Sequence, residues 1–186
     1  MLMTSKINLE LKHFCNDFTP IRAALKDVGA KEVGVVSQKD YFFHLPKIES
    51  NIEPRLKLRI ENGKQELIFY RRGDFSQDKS NPADIYLYPV YDKELLNFLK
   101  EALGIKAIVE KTRERWSKDN TTFNLDDVKN VGKIFEIELG TTPENKGKDE
   151  ATFRQYREKF LPHLGAVIKG SNVDLVLNVK NNQNRF

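Results

Sequence analysis

The sequence predicts an α+β fold, mostly β: a closed antiparallel eight-stranded barrel with helices inserted between strands rather than after each one. Three observations predict it. About eight segments alternate apolar and polar residues with the period of two that a half-buried strand requires. These segments follow one another through short turns, which excludes a parallel arrangement with crossover helices. The polar sides of several of them are charged rather than mixed: Arg55, Lys57, Arg59 and Glu61 oppose Leu56, Leu58 and Ile60, and Lys111, Arg113 and Arg115 share one face of residues 109–116.

Taken in order, residues 6–14 alternate as a strand with Ile7, Leu9 and Leu11 on one side and Asn8, Glu10 and Lys12 on the other. Cys15 follows at the strand end. Thr19-Pro20 reads as an N-cap and first helical residue, Ile21, Ala24, Leu25 and Val28 recur at helical spacing, and Gly29 closes the helix. Residues 31–45 are β-branched and aromatic and predict a second strand, bulged near Gln38 and ended by Pro46. After a polar connection over 46–53, the cationic strand meets Asn62-Gly63, a strong hairpin turn signal, and its partner runs over 65–72 with Ile68, Tyr70 and Arg72 on one face. Residues 73–84 are rich in Ser, Asp, Asn and Pro and predict a mobile loop before a strand over 84–91. Asp92 predicts the cap of a helix carrying Leu95, Leu96, Leu99 and Leu103, with Gly104 as its stop. Strands over 106–117, 121–126 and 132–139 follow, the first two joined by a turn at Asp119-Asn120. Helices over 149–164 and 171–177 and a frayed tail over 180–186 complete the chain.

The chain has 186 residues, 39% hydrophobic and 31% charged, which predicts one domain over 1–186 with a substantial core. No apolar run approaches the roughly 20 residues that cross a bilayer, and residues 1–6 lack the apolar stretch of a signal peptide, so a cytoplasmic protein is expected. A single cysteine forms no internal disulfide, which agrees with that compartment. No motif makes it a nucleophile. A net charge of +4, from 31 basic and 27 acidic residues, gives only a small global footprint for an anion. Segregation by strand says more.

Two arrangements satisfy the alternation. In one, the charged faces are the solvated outside of an ordinary sheet. In the other, the apolar faces pack outward against helices and the charged faces line a wet interior, because so many buried cations need a ligand or water. Converging Arg and Lys suit a polyphosphate, and clustered Glu suits oxygen ligation of Mg²⁺ or Mn²⁺.

The residues then resemble the CYTH superfamily, the triphosphate tunnel metalloenzymes that include class IV adenylyl cyclases and thiamine triphosphatases. The hallmark of that family is Glu-x-Glu-x-Lys near the N-terminus, and this chain has Asn8-Leu9-Glu10-Leu11-Lys12 in its place. Gln38-Lys39-Asp40-Tyr41-Phe42, Arg55-Leu56-Lys57-Leu58-Arg59, Ile68-Phe69-Tyr70-Arg71-Arg72, Val109-Glu110-Lys111-Thr112-Arg113, Phe135-Glu136-Ile137-Glu138 and Ser171-Asn172-Val173-Asp174-Leu175-Val176 resemble later family segments in order and spacing.

The resemblance implies that Lys12, Lys57, Arg59, Arg72, Lys111 and Arg113 hold a triphosphate, with Lys111 and Arg113 also catalytic. It implies that Glu10, Glu136 and Glu138 bind Mg²⁺ or Mn²⁺. Strand parity adds Arg55 and Arg115 to the phosphate set. Asp126 is either a further metal or base position or a turn cap. The neutral Asn8 removes one hallmark carboxylate, which bears on turnover more than on binding. The expected function is that of a class IV adenylyl cyclase-like enzyme or a triphosphatase, its ligand a nucleotide or other triphosphate. The alternatives are a nucleotide- or polyphosphate-binding module with lost turnover and an RNA-binding protein. Against RNA, the basic strands carry few aromatics at stacking positions. No membrane partner is expected, and a homodimer is compatible with the sequence. His13, His44 and His163 have no ligand spacing, and Trp116, Phe42 and Phe43 read as packing residues.

Overall fold

A computed structural model describes residues 2–3, 7–46, 53–72 and 84–183. Among these residues nine strands form one antiparallel sheet: β1 (Leu2–Met3), β2 (Ile7–Phe14), β3 (Lys31–Phe43), β4 (Glu53–Glu61), β5 (Lys64–Arg72), β6 (Asp84–Val90), β7 (Ile105–Lys118), β8 (Thr121–Val128) and β9 (Gly132–Thr141). Four helices, α1 (Thr19–Asp27), α2 (Leu95–Leu103), α3 (Lys146–Phe160) and α4 (Asn172–Gln183), and a 3₁₀ turn at Leu161–His163 accompany it. All eight expected strands are present, and β1 is an addition that pairs with β6.

The closed barrel is not. The strand order β1-β6-β5-β4-β3-β7-β8-β9-β2 is open, with β1 and β2 at its ends. The reason lies at the free edge of β2, whose backbone groups are already taken by the segment after the 3₁₀ turn. Gly165 N–H donates to Phe14 O (2.7 Å), Phe14 N–H to Ala166 O (3.0 Å) and Ile168 N–H to Lys12 O (2.9 Å). This short extended segment covers the edge in place of a further strand.

Local chemistry explains the turns. Asn62 and Gly63 both adopt positive φ (47° and 80°), the primed geometry that matches strand twist in a two-residue hairpin. Asp119 at the β7–β8 turn does likewise (49°). Elsewhere the boundaries move. The Asp17 carboxylate, not Thr19, opens α1, accepting from the Thr19 backbone N–H and hydroxyl (both 3.0 Å). Strand β3 stays in register at Gln38, and its irregularities lie between Glu32 and Gly34 and between Phe42 and Phe43. Helix α3 begins three residues before the expected position and stops at Phe160, two residues ahead of Pro162, whose ring disfavours helix before it. Strand β8 runs on to Val128, and α4, anchored on the sheet by Val173 and Val176, runs on through Gln183. Of the expected connection over 46–53, loop over 73–84 and frayed tail over 180–186, residues 47–52, 73–83 and 184–186 lie outside the described residues.

Three hydrophobic clusters place the helices. Helices α1 and α3 put Ile21, Leu25, Tyr156 and Phe160 on the apolar faces of β2, β8 and β9, against Leu11, Phe123, Phe135 and Ile137. Helix α2 packs Leu99 over Phe43, Leu58 and Val90 on the same side of the sheet. Helix α4 lies on the other side. With Ile168, its Val173 and Val176 meet Phe42, Val109, Val128 and Ile134, residues that share strand parity with the charged rows. Helix α4 closes this apolar end of the charged face.

Phe160 is fully buried, with ring centroids 4.8 Å from Phe135 and 5.6 Å from Phe123. Phe160→Ala should therefore destabilise the fold by about 3–5 kcal/mol in urea denaturation, through lost transfer energy and the cavity left behind.

Candidate triphosphate site

Strand alternation puts the charged side chains on the sheet face away from α1, α2 and α3, and register decides which of them meet. Asp40 on β3 sits opposite Arg59 on β4. Its carboxylate accepts from Lys57 Nζ (2.7 Å) and from Arg59 Nε and Nη2 (2.8 Å each). On β7 and β8, Arg113 is opposite Asp126. Asp126 is fully buried and accepts from Lys111 Nζ (2.7 Å) and from Arg113 Nε and Nη2 (2.6 and 2.7 Å). Glu136 on β9 is 2.7 Å from Lys12 Nζ and accepts from Arg113 at 2.9 Å. Arg55 forms a two-pronged pair with Asp174 at the start of α4 (2.9 and 3.1 Å) and donates to the Ser171 hydroxyl.

Lys12, Arg55, Lys57, Arg59, Lys111 and Arg113 thus share one largely buried face, held by Asp40, Asp126, Glu136 and Asp174. Arg115 lies at its rim, 34% exposed and 3.8 Å from Glu61, which also accepts from Gln38. Arg72 and Asn8 fall on β5 and β2, with their side chains outside the described residues. A cavity of about 730 Å³ opens at the hairpin end of this face, lined by Arg59, Glu61, Glu66, Tyr91, Lys93 and Arg115 among others.

The acidic end has its own logic. Glu10 and Glu138 are direct cross-strand partners, a like-charge pairing that destabilises a sheet unless a cation intervenes. Burial and then the neighbouring Glu136 push the Glu138 carboxyl up to about 7. Asn124 on β8, opposite Glu136, is buried with its Oδ1 unpartnered. An all-oxygen donor set with surplus negative charge suits a hard divalent cation, so Glu10, Glu138 and Asn124 fit one, with Glu136 beside them. Among the described residues, no three His, Cys, Asp or Glu side chains already stand at metal-ligand spacing, because Lys12 and Arg113 draw Glu136 into ion pairs. Asp126 has both oxygens committed to Lys111 and Arg113 and sits in mid-strand, so the turn-cap reading is replaced by a buried ion pair.

Charge and burial set the titrations. Burial works against the Asp40 carboxylate, but Lys57 and Arg59 outweigh it and hold the carboxyl well below the usual range. Lys57 goes the other way: burial, with Arg59 nearby, brings its ammonium down to about 8 despite Asp40. Burial and Arg113 do the same to Lys111, again to about 8. Burial opposes charge on Lys12 too, yet Glu136 and Glu10 leave its pKa raised.

Sequence reasoning named the cations, gave two of their holders, Asp126 and Glu136, other roles, and missed Asp40 and Asp174. Asp40 and Asp174 lay in plain view in the quoted segments, but their roles depend on register and on where α4 docks. Gln38 and Asn124 carried no signal beyond strand parity.

The CYTH domain family matches residues 6–162, and the chain belongs to that family. A candidate adenylate cyclase of Methanocaldococcus jannaschii is 22% identical over 170 residues, covering 90% of each chain. Among solved structures, the PH1012 protein of Pyrococcus horikoshii superposes with a TM-score of 0.72 at 20% identity, covering 91% of this chain and 99% of that one. A Hippeastrum protein described as a candidate adenylyl cyclase with a dominant triphosphatase activity superposes at 0.60 and 13% identity, covering 92% and 95%. At these identities the structures share the fold.

Two outcomes follow. Asp126→Asn strips the buried Lys111 and Arg113 of their shared carboxylate and should destabilise the protein by about 3–5 kcal/mol in urea, whereas the exposed Asp127→Asn should change stability by under about 0.5 kcal/mol. Stability should also rise between pH 8 and 9. There the unfolded chain keeps the Lys57 and Lys111 protons, with an ordinary pKa of 10.5, while the folded chain sheds them from about 8. Above 9 the gain is opposed by Cys15, whose thiol burial pushes up from 9.0 to about 11, so that the folded chain now holds the extra proton. Urea melts at half-unit pH steps measure the profile, and Lys57→Met should flatten the rise.

Proposed function

We propose that the protein binds a triphosphate along the cationic face, with Mg²⁺ or Mn²⁺ at the carboxylate end, and acts on its phosphorus–oxygen bonds as a class IV adenylyl cyclase-like enzyme or a triphosphatase. The single observation that carries this is the set of six cations from β2, β4 and β7 gathered on one buried face, each paired with a carboxylate that a phosphate oxygen can replace. Membership of the CYTH family supports it.

The residues divide the work. Lys57, Arg59 and Arg55 on β4, with Arg115 at the rim and Arg72 on β5, bind and orient the phosphate chain. Lys111 and Arg113 are placed to neutralise charge that develops on the departing phosphate oxygens, a role in which fixed donors in a desolvated site are worth most. Lys12 does the same beside the acidic end. Asp40, Asp126 and Asp174 are positioning residues that keep the cations aimed when no ligand is present. Glu10, Glu136 and Glu138, with Asn124, would hold the divalent ion, which when bound supplies Lewis-acid polarisation of the phosphate oxygens. Asn8 stands where the family hallmark has a glutamate, and this favours a second reading, a binding module with weakened turnover.

Turnover of ATP, thiamine triphosphate and inorganic triphosphate with Mg²⁺ or Mn²⁺, with cyclic nucleotide, pyrophosphate and phosphate separated, tests the reading. Cyclic AMP with pyrophosphate identifies cyclisation, and phosphate release identifies hydrolysis. Binding without turnover, restored by Asn8→Glu, identifies the module. Arg59→Ala and Lys111→Ala should each weaken triphosphate binding by about tenfold or more. Unchanged affinity in both would count against the site.

A further inference from the structure

The carboxylates that hold the cations are not themselves held alike. Asp40, Asp126 and Glu136 are buried in mid-strand with a paired strand on each side. Withdrawing any of them means disturbing the sheet. Asp174 sits on α4 instead, and its side chain is 32% exposed. The chain enters that helix through Gly170, whose φ of 114° favours glycine and where a Cβ would stand 3.0 Å from Asp174 Oδ2.

The start of α4 meets the charged face through Asn172 and through Asp174. Asn172 Nδ2 lies 3.4 Å from Asp126 Oδ2, at the long limit of a hydrogen bond, and Asn172 Oδ1 is buried with no partner. The strong tether is Arg55. Its Nη1 donates to the Ser171 hydroxyl and to Asp174 Oδ2 (3.1 Å), and its Nη2 donates to Asp174 Oδ1 (2.9 Å). The same carboxylate caps the helix, with Oδ2 accepting from the Ser171 N–H (2.8 Å) and hydroxyl (2.9 Å).

We infer that Asp174 is an autoinhibitory stand-in for a ligand phosphate: it occupies the terminal nitrogens of Arg55 until a triphosphate displaces it, and its departure frees the start of α4 from β4. The inference rests on the triphosphate reading above. Phosphate takes a guanidinium in the same two-pronged geometry as a carboxylate, so Asp174 and the ligand exclude one another on Nη1 and Nη2. Linkage makes the effect reciprocal, so the Asp174 contact weakens triphosphate binding by the factor by which binding weakens the contact. Val173 and Val176 keep their places in the apolar cluster. What is released is the polar side of the first turn, not the helix.

Calorimetric titration of the full chain with inorganic triphosphate, in EDTA so that metal chelation does not intervene, tests this. Asp174→Asn keeps an oxygen for the Ser171 cap but removes the competing charge, and should lower the Kd about fivefold. Asp40→Asn, which leaves Lys57 and Arg59 unaimed, should raise it. In an Arg55→Met background, Asp174→Asn should change the Kd by less than about twofold. On the unmodified protein, which needs no variant to fold, the amides of Ser171, Asp174 and Leu175 should exchange faster with triphosphate bound. A Kd unchanged or raised by Asp174→Asn overturns the inference, as does equal tightening without Arg55, which marks long-range charge rather than competition. Triphosphate binding with no faster exchange at the start of α4 also overturns it and leaves the triphosphate site standing. No binding of inorganic triphosphate by the unmodified protein overturns both.

Discussion

Burying cations is the constraint on which this structure depends. Six of them occupy one sheet face, and removing an ion from water costs several kcal/mol even after relaxation. Without a ligand, that cost is offset by carboxylates taken from several elements: Asp40 from β3, Asp126 from β8, Glu136 from β9 and Asp174 from α4. Asp40 and Asp126 each hold two cations at once, with each guanidinium in its two-pronged geometry.

That arrangement dictates where the helices go. Three of them, α1, α2 and α3, cover the apolar side of the sheet, so that the curled charged side is left to polar contacts. Helix α4 is the exception that defines the site. Its Val173 and Val176 seal a stretch where the inner rows turn apolar, while Ser171 and Asp174 at its start, with Arg55, mark the boundary between seal and charge. The sheet has no need to close. Its β2 edge is satisfied by the backbone of residues 165–168.

The two ends of the charged face differ in sign for the same reason. Along β4 and β7 positive charge is in excess, and burial first, then Arg59 beside Lys57 and Arg113 beside Lys111, brings both ammonium groups down to about 8. Along β2 and β9 the excess is negative, and Glu10 faces Glu138 directly. Under the proposed function, a phosphate chain takes the positive end and a divalent cation the negative one.

Much of this was legible in the residues. Period-two alternation fixed the strands, their faces and the set Lys12, Arg55, Lys57, Arg59, Lys111, Arg113 and Arg115, because side-chain direction in a strand depends on parity alone. Asn62-Gly63 fixed its hairpin because few other pairs tolerate both positive φ values. What only the tertiary structure decided is pairing. That Asp40 holds Lys57 and Arg59, that Asp126 serves a cation pair from mid-strand, and that Asp174 reaches Arg55 all depend on register between strands distant in sequence and on the docking of α4. So does the open sheet, since a strand's alternation reports which way its side chains point and carries nothing about what its backbone edge will meet.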